Sequence, residues 1–74
     1  MSIAERLMEA LIEDSVDQAC RNGLAVPVAD VARDVMRNAG YAPDRSRHAA
    51  LVHRLSLECA RRGLAVELRT PHED

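Results

Sequence analysis

Aromatic side chains are almost missing from this chain: Tyr41 is the only one, with no Phe and no Trp. A core without rings has to be built from Leu, Val, Ile, Ala and Met. The same scarcity disfavours stacking platforms for single-stranded nucleic acid, which need aromatic faces. Lysine is absent, so all ten basic residues are arginine. No apolar run is long enough to span a membrane, and neither a signal peptide nor a lipidation motif is present. These absences point to a cytoplasmic chain with reduced thiols. The two cysteines, Cys20 and Cys59, stand at matching apolar positions near two helix ends and read as small core residues.

Chemistry is sparse as well. Ser15, Ser46 and Ser56 lack a nucleophile elbow or a paired base. No glycine-rich phosphate loop occurs. His48 and His53 are five residues apart, which does not put both on one helical face. His48 falls near the core side of its helix and reads as a half-buried histidine with a hydrogen-bond partner. Neither a metal site nor a cofactor is expected, and the chain does not read as an enzyme.

What is present is helical patterning. Seventy-four residues, 47% hydrophobic and 30% charged, suit one folded domain with a modest core, for which self-association into a homodimer is a natural remedy. Ser2-Ile3-Ala4-Glu5 has the form of a capping box. The helix it opens runs to about Asn22, where Gly23 closes it. Ile3, Ala4, Leu7, Met8, Leu11, Ile12 and Ala19 form its apolar face. A second helix starts at Pro27, carries Val28, Val31, Ala32, Val35, Met36 and Ala39 inward, and stops at Gly40. The third is one long helix from Pro43 to Gly63, with Ala49, Leu51, Val52, Leu55, Cys59 and Ala60 on its apolar arc. Leu64, Val66 and Leu68 then alternate with Ala65, Glu67 and Arg69, the period of a strand over 64–70. Cys20-Arg-Asn-Gly-Leu-Ala-Val26 echoes Cys59-Ala-Arg-Arg-Gly-Leu-Ala-Val66, so two short apolar segments can pair in a small sheet. The expected fold is mainly α: three helices with a minimal two-stranded β element. Residues 1–74 form one small helical domain, with 70–74 a frayed tail.

The net charge is only −2, which excludes a bulk polyanion binder, but the charges are unevenly placed. Residues 1–23 hold five acids against Arg6 and Arg21, whereas residues 41–63 hold five arginines against Asp44 and Glu58. Arg47, Arg54 and Arg61 recur every seven residues and define a cationic stripe. Glu58 is placed to pair with both Arg54 and Arg61. Ala50 and Leu57 lie beside the stripe, an apolar strip suited to a protein contact. On the first helix Glu5, Glu9, Glu13 and Asp17 follow one another at four-residue spacing. That row can be a solvated face, an ion-pairing surface for the stripe, or a mimic of a phosphate backbone.

The order of elements in VPVADVARDVMRNAG and YAPDRSRHAALVHRLSLECARRGLAVELR resembles the winged-helix form of the helix-turn-helix family, without a full wing. The resemblance implies a transcription-regulator-like module whose third helix enters the major groove of double-stranded DNA. Arg45, Ser46, Arg47 and His48 would then face the groove, with Arg54 and Arg61 further along. The alternative is a protein-interaction module, such as an antitoxin, an antirepressor or an inhibitor of a nucleic-acid enzyme. It would use Ala50 and Leu57, or the acidic row.

Overall fold

The computed structural model describes residues 2–67. Three helices carry the fold: α1 (Ile3–Asn22), α2 (Val28–Asn38) and α3 (Arg45–Arg61). Two short strands, β1 (Val26–Pro27) and β2 (Val66–Glu67), pair in parallel with Val26 opposite Val66. The chain is thus mainly α with a minimal two-stranded element. The sheet joins the two segments of the Gly-Leu-Ala-Val echo, and the Val26 amide donates to the Ala65 carbonyl at 3.0 Å. The predicted strand over 64–70 is shorter at its start, since pairing begins only at Val66; residues 68–70 and the tail lie outside the described residues.

Each helix has an identifiable start and stop. The Ser2 hydroxyl accepts from the Glu5 amide and the Glu5 carboxylate accepts from the Ser2 amide, so the capping box is formed. Asp44 is not inside the first turn of α3 but is its N-cap, accepting from the Ser46 and Arg47 amides, and Pro43 stays outside the helix. α2 follows directly on Pro27, which has no amide to leave unpaired. At the far ends the closures match. Leu24 donates to Ala19, Tyr41 to Met36 and Leu64 to Cys59, each across a glycine with positive φ. This is the left-handed closure that satisfies the last carbonyls of a helix. Because α2 closes the same way without the Leu-Ala-Val that follows, the echo's glycines reflect a common capping solution.

The core is entirely non-aromatic: Ile12 and Val16 from α1, Val26 from β1, Val28, Ala32, Val35 and Met36 from α2, and Leu51, Leu55 and Cys59 from α3. Several expected core residues lie elsewhere. Ile3 is 82% exposed and Leu7 42%. At 1.5 Å per residue α1 is about 30 Å long, yet it has fully buried side chains only at mid-helix, and it first meets the core at Met8, so its opening turn stands clear of the other helices. Cys20, Ala49 and Ala60 are exposed too. Cys20 lies near the end of α1, whereas Ala49 and Ala60 lie on the outward side of α3, whose buried arc is narrower than its apolar period suggests.

Candidate functional site

The cationic stripe is not free. Arg54 donates to Glu9 of α1 at 2.8 Å and to Glu58 at 3.1 Å, and Arg61 donates to Glu58 at 3.0 Å. Arg62, which lies off the seven-residue stripe, donates to Glu58 at 3.0 Å and to Asp17. Three guanidiniums therefore converge on Glu58, whose side chain is only 5% exposed. The bond from Arg54 is the main reason the Glu58 carboxyl lies below its ordinary pKa. Burial opposes this, while Arg62 and the charge of Arg61 reinforce it. Arg54 and Arg62 are pushed up in return by their carboxylate partners. The network ties α3 to α1 at two points along the acidic row.

That row consequently divides by role. Glu5 caps its own helix, Glu9 and Asp17 hold Arg54 and Arg62, and Glu13 is left exposed. Of the three readings of the row, ion pairing within the fold accounts for Glu9 and Asp17. Arg62 stands outside the seven-residue pattern, although it lies four residues after Glu58, the spacing at which oppositely charged side chains meet on a helix.

At its other end α3 is differently arranged. Ser46 is exposed, and Arg45 makes no ion pair among the described residues. The Arg47 guanidinium lies 4.0 Å from the centroid of the Tyr41 ring, a cation–π contact. His48 is half-buried, and its Nε2 lies 2.9 Å from the Ala29 carbonyl oxygen. A carbonyl only accepts, so Nε2 carries the proton and His48 is a strut between α3 and α2. Arg33 and Arg37 of α2 reach the same region. Their partners are Asp30 at 3.1 Å and Asp34 at 2.6 Å, both in exposed pairs of the kind that contribute little. With Met36, Tyr41, Pro43 and Arg45 they line a recess of about 480 Å³ beside the α2–α3 turn.

Between these ends, Ala49, Ala50, His53 and Leu57 form the outward side of α3, and all four are exposed. Cys59 is buried, and burial first, then the neighbouring Glu58 charge, pushes its thiol up, away from the nucleophilic thiolate form. Comparison with family models, curated proteins and solved structures finds no match to this chain.

Proposed function

We propose that the chain is a small DNA-binding module that grips a duplex with the start of α3 and the arginines of α2. One observation carries this reading. Arg33, Arg37, Arg45 and Arg47 come from two helices and gather around one turn, at the start of a helix whose outward side bears small residues. Ser46, Ala49 and Ala50 let a helix backbone come close to base edges, while guanidiniums at its flank can hold phosphates or take guanine bidentately. The resemblance of the element order to the winged-helix family is consistent with this use. The footprint is smaller than the sequence suggested, because Arg54 and Arg61 already hold Glu9 and Glu58. A duplex mobility-shift experiment at low and moderate salt tests the proposal. Retention at low salt that falls as salt rises is expected, and no shifted species at low salt removes it.

A second reading has its own support. Leu57 is 51% exposed on the outward side of α3, with exposed Ala50 two turns before it. Small residues flanking one large aliphatic allow a helix of another protein, or of a second copy of this chain, to pack closely. In that reading Leu57→Asp abolishes association while the monomer stays folded.

A further inference from the structure

The recess at the α2–α3 turn is more than a cationic surface. Met36, Tyr41 and Pro43 give it apolar walls, while Arg33, Arg37 and Arg45 supply guanidiniums. A surface meant only for phosphates has no need of an oily hollow of about 480 Å³ between its cations. The helix start is not the attraction, since Asp44 already occupies the Ser46 and Arg47 amides. An anion entering here has to be held by side chains. Arg45 has no acidic partner among the described residues, and the acids on Arg33 and Arg37 are exposed and easily exchanged. Asp44 also lines the recess, and its negative charge works against a multiply charged ligand.

We propose that this recess binds a small organic monocarboxylate, its apolar ring or chain against Met36, Tyr41 and Pro43 and its carboxylate on Arg45, with Arg33 or Arg37 as the second cation. Guanidinium and carboxylate match as a planar, bidentate pair, and the apolar body supplies the contact area that a bare anion lacks. The ligand shares arginines with the proposed DNA surface, so it would compete with a duplex. Its binding does not rest on the DNA reading and is measured on the protein alone.

Tyr41 is the chain's single Phe, Tyr or Trp, so intrinsic fluorescence reports on the surroundings of that one ring, the recess and the stacked Arg47. The probe is cyclohexanecarboxylate, which neither absorbs nor emits with tyrosine. Cyclohexanemethanol matches its body without the charge, and acetate its charge without the body. The expected result is a saturable change with the carboxylate, with a dissociation constant of about 1–10 mM for so small a ligand. Neither control saturates in that range. Arg45→Gln weakens binding about tenfold, the loss of one charge-assisted pair. Arg61→Gln, remote from the recess, leaves it unchanged. Asp44→Asn keeps a competent N-cap and tightens binding by removing the opposing charge. The proposal is overturned if no saturation occurs, if acetate or the alcohol responds equally, or if Arg61→Gln weakens binding as much as Arg45→Gln does. A duplex arm separates the two ideas. Ligand binding without any DNA retention leaves the recess intact and removes the DNA module, and the converse result does the opposite.

Discussion

The division of arginines into engaged and available ones can be measured as a salt dependence. A protein that neutralises Z phosphates loses affinity with a slope of about −0.9Z in log affinity against log salt. If Arg33, Arg37, Arg45 and Arg47 each meet one phosphate, the slope is roughly −3.6. Raising salt fourfold, from about 50 to about 200 mM, then costs roughly 150-fold in affinity. Arg45→Ala lowers the slope to roughly −2.7, and the same salt step then costs roughly 40-fold. Arg54→Ala behaves differently. Its guanidinium is bonded to Glu9 and Glu58, so removing it leaves the slope unchanged, although it loosens α3 from α1. Arg61→Ala likewise leaves the slope alone, because Arg61 shares Glu58. Fluorescence anisotropy of a labelled duplex, titrated at four salt concentrations with each variant, gives all the slopes. The reasoning is refuted if Arg54→Ala or Arg61→Ala flattens the slope while Arg45→Ala does not. That result would mean that the pairs to Glu9 and Glu58 open on binding and that the seven-residue stripe is the true contact.

Further tests address the scaffold. Leu55 is fully buried, so Leu55→Ala should cost about 2–5 kcal/mol, much of the roughly 4–11 kcal/mol expected for a chain this size. Leu57→Asp, two residues on but exposed, should change stability by no more than about 0.5 kcal/mol. Urea unfolding followed by circular dichroism distinguishes them, and equal losses would show that the buried side of α3 is misassigned. Glu58 sets the acid limb of stability. Its carboxyl is held below the unfolded value of about 4.3. The stabilisation is therefore fully present above that pH and fades as pH falls through the lower, folded value. Glu58→Gln should be less stable than the natural chain at neutral pH and converge with it in acid. Curves that stay parallel down to about pH 2 would mean that the carboxylate is not held by its three arginines.

Much of this fold is legible because its signals are local. Ser2 and Glu5 announce one helix start three residues apart, and Gly23, Gly40 and Gly63 each mark a stop that backbone hydrogen bonds then make. Val28, Ala32, Val35 and Met36 follow a helical period and are all buried. His48 bonds to a backbone carbonyl, as its place near the core side implied. The misplacements have two causes. Ile3, Leu7 and Cys20 lie toward the ends of α1, and a period gives direction around a helix, not how far a neighbour extends along it; Ala49 and Ala60 lie outside the narrower arc that α3 buries.

The site was harder to read for the first of these reasons, sharpened by charge. Seven-residue spacing aligns Arg47, Arg54 and Arg61, and the geometry that aligns them also puts Glu58 within reach of the last two. Local spacing could foresee that pairing, and with it Arg62. The acidic row on α1 reads in sequence as one possible ion-pairing surface for the stripe, but which of its acids meets Arg54, 45 residues from Glu9, follows only from how α1 packs beside α3. The recess depends on a similar coincidence, with Arg33 and Arg37 brought to Arg45 by a six-residue connection folded back under the Schellman-type closure of α2. A cation in a sequence is available to a ligand only where its acidic partner is absent or itself exposed, as Asp30 and Asp34 are, and not where that partner is a buried carboxylate such as Glu58. At the start of α3 the nearest acid on that helix is Asp44, and its oxygen is turned to the backbone amides of its own helix. That is why the arginines able to meet a ligand cluster at this end and not along the ridge.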